Sequence, residues 1–117
     1  HLGVPTWLSA VVGADFPEAH VALLADRGVD TDGLVRDADG ETFFWAGRYH
    51  YDLNSRDTLA THLNVLASFR PDLPAAYRTP QVVCLGNLDP TIQLDVIEQA
   101  SAGGHRPLVV ADTMNFW

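Results

Sequence analysis

The densest run of chemistry-bearing side chains is Arg48-Tyr49-His50-Tyr51-Asp52. Guanidinium, imidazole and carboxylate groups can hydrogen-bond the hydroxyls of a sugar, and tyrosine rings can stack on its C–H face. The same spacing suits an amphipathic strand whose polar face is only solvated, and the residues leave both readings open. His50, Asp52 and His62 supply two imidazoles and a carboxylate, the makings of a metal site with an open position. Their spacing matches no zinc signature, and His1, His20 and His105 are dispersed, so no metal site is assigned. Neither a Ser-His-Asp nor a Cys-His arrangement can be drawn from spacing. Gly13-Ala14-Asp15 lacks the glycine density of a phosphate loop and reads as a turn with a helix cap.

These residues need elements to hold them. Gln81-Val82-Val83-Cys84-Leu85-Gly86-Asn87-Leu88-Asp89-Pro90 opens with an unbroken apolar run, expected of a strand buried on both faces. Cys84 is therefore expected to be a small buried hydrophobe. Asp89-Pro90 reads as a helix start, the carboxylate capping and proline at the first helical position. The helix carries Ile92, Val96, Ile97 and Ala100 and stops at Gly103-Gly104. Pro107 to Ala111 is a second apolar strand running into Asp112-Thr113-Met114-Asn115. Such a strand–helix–strand unit has parallel strands, and ligands of open parallel sheets gather beyond the strands' carboxyl ends. Gly86, Asn87, Asp112 and Asn115 thus fall along one candidate rim, although Asn and Asp after a strand are also ordinary turn formers.

Upstream, Trp7 to Val12 is expected to be a first strand stopped by Gly13. Asp15-Phe16-Pro17-Glu18 has the spacing of a capping box for a helix ending at Gly28. Val29 to Gly33 reads as a turn-rich connector, Leu34-Val35-Arg36 as a short strand, and Asp37-Ala38-Asp39-Gly40 as a hairpin turn. Residues 41–52 suit a strand rich in aromatics. Residues 58–69 fit both helical and alternating patterns, and a strand pairing with 41–52 is expected. Ala75 to Arg78 is expected to form a short helical turn. At most three strands are available for a main parallel sheet.

The 117 residues allow one domain, and 47% hydrophobic content is enough for a core. A net charge of −8, with all seven basic residues being scattered arginines, excludes a basic stripe for nucleic acid. No stretch is long enough to span a membrane, and no signal-peptide pattern is present. With a single cysteine, a cytoplasmic protein is expected. A chain that starts on His1 in a strand approach and finishes on Asn115-Phe116-Trp117 reads as a piece of a longer protein.

The order of these pieces resembles the ribokinase-like (PfkB) carbohydrate kinases. Gly13-Ala14-Asp15-Phe16 is similar to that family's G-x-D-x-F/P turn, Gly28-Val29-Asp30-Thr31 to its G-V-D-T, and Asp39-Gly40-Glu41-Thr42 to the turn on its lid. Val82 to Gly86 is similar to the strand after the lid, and Asp112-Thr113-Met114-Asn115 to a D-x-N strand end. The resemblance implies an α/β fold: a three-layer, Rossmann-like parallel sheet with a small antiparallel β lid, here incomplete. Residues 1–117 would be a single partial domain, with the lid inserted over 34–66 and the α/β core at 1–33 and 80–117. It implies an enzyme that moves the ATP γ-phosphate, with Mg²⁺, to a hydroxyl of a sugar or nucleoside. Arg48, Tyr49, His50 and Asp52 would lie on or near the lid strand facing the sugar, and Asn87, Asp112 and Asn115 near the sugar–phosphate cleft. Such lids often pair, so a homodimer through the lid is implied too.

The family's N-terminal di-glycine substrate motif and its later N-x-x-E and G-A-G-D motifs are not in this sequence. The chain alone is therefore expected to hold no ATP or Mg²⁺, to contain no catalytic residue and to be inactive. The alternatives are a non-catalytic α/β module that pairs through its β flap and, more distantly, a metal-dependent hydrolase using His50, Asp52 and His62.

Overall fold

The computed structural model describes residues 3–112. They form a mixed α/β structure with two α-helices and three two-stranded sheets, two parallel and one antiparallel. The chain divides into two compact units, residues 1–69 and 70–117. Among the described residues each sheet has two strands, where the sequence suggests one main sheet of up to three.

In the first unit, β1 (Thr6–Gly13) leads to α1 (Glu18–Asp26) and β2 (Val29–Asp37), which lies parallel to β1. Val29 to Gly33 is thus strand rather than connector. Its turn signal is nonetheless real: the Asp30 carboxylate accepts the Asp32 amide (2.9 Å), and the register slips between Trp7 and Ser9. The turn residues have become a bulge, which lets the strand continue.

The capping box is also corrected. Pro17 occupies the N-cap of α1 and no side chain caps it. Glu18 instead pairs with Arg36 on β2 (2.9 Å), and Asp15 is engaged elsewhere, as described below. Gly28, at φ +75°, takes the left-handed conformation that ends the helix, as its position suggests.

Asp37 to Gly40 does turn, with the Asp37 carboxylate accepting the Asp39 amide (3.0 Å). It makes no hairpin, because β2 pairs with β1 and not with the strand after the turn. The hairpin is instead β3 (Phe44–Tyr49) against β4 (Arg56–His62). Strand 41–52 is therefore shorter than expected, and its expected partner is a strand only as far as His62. Residues Asn64–Ser68 then form a 3₁₀ turn, which buries Val65.

In the second unit, a 3₁₀ turn at Ala75–Tyr77 precedes β5 (Val82–Leu85), α2 (Pro90–Ala100) and β6 (Leu108–Ala111), with β6 parallel to β5. Asp89 caps α2 by accepting the Thr91 amide (2.8 Å), and Pro90 opens the helix. Leu73, Tyr77, Val83, Leu85 and Ala100 form the core, with Val96 and Ile97 packed against it. Gln99 ties the preceding loop to the helix, accepting the Leu73 amide (2.8 Å) and donating to the Pro71 carbonyl (2.8 Å).

β5 is not buried on both faces. Val83 and Leu85 are buried, while Val82 and Cys84 are exposed, as is all of β6. Val82 pairs with Leu108 and Cys84 with Val110, so these four residues share one apolar face. Parallel strands read as continuous apolar runs because both faces are normally covered, and here the core covers one.

Candidate functional site

The hairpin carries four of the candidate residues. Arg48 stands across from Asp57, and Tyr49 across from Arg56. Just past β3, the His50 Nε2 lies 3.1 Å from the Asp57 carboxylate. Arg48, His50 and Asp57 therefore form a polar group on one face of the hairpin, while Tyr49 belongs to the other. All four are exposed.

Asp52 does not join that group. Its carboxylate accepts the amides of Asn54 (3.1 Å) and Ser55 (3.2 Å) and the Ser55 hydroxyl (3.1 Å). The Ser55 and Asn54 amides hold its pKa below the usual carboxylate value. It organises the loop joining the strands, which the backbone closes by His50 N–H donating to the Ser55 carbonyl (2.9 Å). Leu53 sits in the left-handed region there, at φ +58°.

The metal alternative fails on geometry. Phe44 pairs with His62 and Tyr49 with Arg56, so His62 and His50 stand at opposite ends of the hairpin. Six strand steps separate them, roughly 20 Å at ~3.4 Å per residue. Among the described residues no cluster of three or more His, Cys, Asp or Glu side chains could hold an ion.

The opposite hairpin face is aromatic, as the alternation of Phe43, Trp45 and Tyr49 suggests. The Trp45 indole lies across Gly47, where a Cβ would overlap the ring. The missing side chain at Gly47 leaves room for the indole to lie along the strand. Trp45 and Tyr49 remain exposed.

At the root of the hairpin lies a joint that no motif in the sequence announces. Thr42 Oγ1 donates to the Asp15 carboxylate (2.8 Å) and accepts the Gly13 amide (2.9 Å), while the Thr42 amide donates to Asp15 (2.7 Å). The Thr42 amide and hydroxyl hold the Asp15 pKa below its ordinary value. The Ala14 amide donates to the Gly40 carbonyl (2.9 Å), and the Asn64 side chain to the Thr42 carbonyl (2.8 Å). Gly13 has no room for a Cβ, which would strike the backbone of Gly40 to Thr42. Arg36 completes the joint by donating to the carbonyls of Gly13 (3.1 Å) and Phe16 (2.9 Å).

In the second unit the candidate rim is partly visible. The Asp112 amide donates to the Leu85 carbonyl (2.9 Å), just past the paired residues of β5 and β6. Gly86, Asn87 and Asp112 follow at the strands' carboxyl ends and are exposed. Gln93, on the first turns of α2, donates from Nε2 to the carbonyls of both Gly86 (2.8 Å) and Asp112 (3.2 Å). Neither strand pattern nor motif singles out Gln93. Asn115 lies outside the described residues. Cys84, read from sequence as buried, is exposed on the apolar face.

No helix of the described residues is long and apolar enough to cross a membrane. Compared with known protein families and with curated proteins, the chain matches no family model and no curated sequence.

Proposed function

We propose that this chain is part of an ATP-dependent kinase acting on a hydroxyl of a sugar or nucleoside, built on the three-layer ribokinase-like plan. On this reading it carries sugar contacts and not the phosphoryl-transfer machinery. The observation that carries the reading is the joint at Thr42. Gly13-Ala14-Asp15 and Asp39-Gly40-Glu41-Thr42, two of the stretches on which the family resemblance rests, are hydrogen-bonded to one another. Motif-like residues that are remote in sequence and yet meet in space support a shared structural purpose better than either stretch alone.

Arg48, His50 and Tyr49 are the proposed sugar contacts of the hairpin, and Asn87 and Asp112 those at the strand ends; Asn115, the remaining proposed contact, lies outside the described residues. Asp52 acts through the loop it orders. The residues present do not fit ATP and Mg²⁺: there is no glycine-rich phosphate loop and no cation-binding cluster among the described residues. Phosphoryl transfer rests on positioning and charge stabilisation around the nucleotide, so no step of it is assigned to this chain. The single cysteine supports a cytoplasmic location.

Saturation-transfer NMR with D-ribose, D-fructose and adenosine tests the reading, alongside incubation with labelled ATP and Mg²⁺. Binding of one probe without phosphate transfer is the expected result; no transfer of saturation to any of the three would overturn it. A second reading, a non-catalytic module that self-pairs through the hairpin, is favoured by the exposed Trp45, Tyr49 and Tyr51 and by open strand edges. Its mark would be a dimer abolished by Trp45→Lys in a chain that binds none of the probes.

A further inference from the structure

We propose that Gln93 is the positioning residue of the strand-end rim, an inference that rests on the sugar-side reading above. The β5–β6 ladder spans four residue pairs, Val82–Leu108 to Leu85–Ala111. Just past the last of these pairs, the Asp112 amide donates to the Leu85 carbonyl (2.9 Å). The next carbonyls on the two sides, Gly86 and Asp112, share the Nε2 of Gln93. A primary amide has two N–H groups on one nitrogen, so it can bridge two acceptors from one point. The bridge is anchored from below, because Gln93 lies on a helix whose start is fixed by the Asp89 cap and whose own Gln93 amide donates to the Asp89 carbonyl (3.1 Å). Gln93 therefore sets the spacing of Asn87, which follows Gly86, and Asp112. It touches backbone and not the proposed sugar, which makes its role one of position.

The test uses the whole chain, with Gln93→Met and Gln93→Glu variants, titrated with D-ribose, D-fructose and adenosine and followed at the amides of Gly86, Asn87 and Asp112. Gln93→Met keeps the length and loses both donors. It should weaken the probe that the wild type binds by about tenfold, equivalent to about 1.4 kcal/mol, while its Tm stays within a few degrees. Gln93→Glu presents acceptors to two carbonyls at neutral pH, and its affinity should recover on acidification as the carboxyl regains a donor, relative to the wild-type pH profile. Unchanged affinity in Gln93→Met, with the wild type binding, overturns the proposal and leaves the sugar reading intact. Loss of affinity that follows loss of Tm, with no recovery of Gln93→Glu at low pH, also overturns it. A wild-type rim that responds to none of the three probes removes the sugar reading and this proposal together.

Discussion

Thr42 and Asp15 stand 27 positions apart in sequence and are joined twice, by the Thr42 amide and the Thr42 hydroxyl on one carboxylate oxygen. The same hydroxyl accepts the amide of Gly13, at the end of β1. One side chain thus fastens the root of the β3–β4 hairpin to the strand–helix turn of the β1–α1–β2 unit.

Replacing Thr42 by Val keeps the branched shape and the amide bond but leaves the Gly13 amide without its acceptor. The loss should be about 1 kcal/mol, in the range of a partly buried hydrogen bond, read as a lower denaturation midpoint with unchanged slope. Thr42→Ser keeps the hydroxyl and should stay close to the wild type. If Val and Ser behave alike, the hydroxyl is not what holds the joint.

Acid should release the same joint. The pKa of Asp15 in the folded chain lies below its ordinary 3.8, chiefly through the Thr42 amide and then the Thr42 hydroxyl. A folded value below the unfolded one gives stability that is present in full above the unfolded value and lost as pH falls through the folded one. Stability should therefore drop on acidification below the ordinary carboxylate range. Asp15→Asn should flatten that part of the profile in a series of denaturant melts. An unchanged acid slope in the variant would contradict the hydrogen-bonding assigned to Asp15.

The two faces of the β5–β6 sheet should respond oppositely to substitution. Leu85 is 7% exposed and sits in the core with Tyr77 and Ala100, so Leu85→Ala should cost about 2–5 kcal/mol. Val110 is 52% exposed on the opposite face, and Val110→Thr should change stability little. Cys84 on that face should react with a thiol reagent in the native chain. The bare face should also drive self-association, which Leu108→Glu should reduce in sedimentation velocity. A protected Cys84 thiol in a monomeric chain would contradict this picture of the sheet.

Local signals were legible and long-range ones were not. Asp89-Pro90 announces α2 because cap and first turn are neighbours, and the cap forms as read. Asp15-Phe16-Pro17-Glu18 carries an equally good local signal and fails, because Thr42 reaches Asp15 and Arg36 reaches Glu18 from distant strands. The Asp30-Thr31-Asp32-Gly33 stretch does contain a turn, yet pairing with β1 absorbs it as a bulge. Cys84 is exposed despite its apolar run, because such a run tells which residues could be buried and not whether a second layer covers them. In the candidate site, the dense run from Arg48 to Asp52 was visible, but not that Asp52 serves the loop or that Asp57 takes His50. Gln93 was invisible, since its partners are backbone carbonyls that no residue pattern reports.

The most direct measurement is a residue-resolved amide titration of the chain with D-ribose, D-fructose and adenosine at millimolar concentration. The sugar reading expects saturable shifts for at least one probe at the proposed contacts, Arg48, Tyr49 and His50 in the first unit or Asn87 and Asp112 in the second, with no phosphate transferred when ATP and Mg²⁺ are added. Amides that stay still for all three probes, or a phosphorylated sugar made by this chain alone, would contradict it.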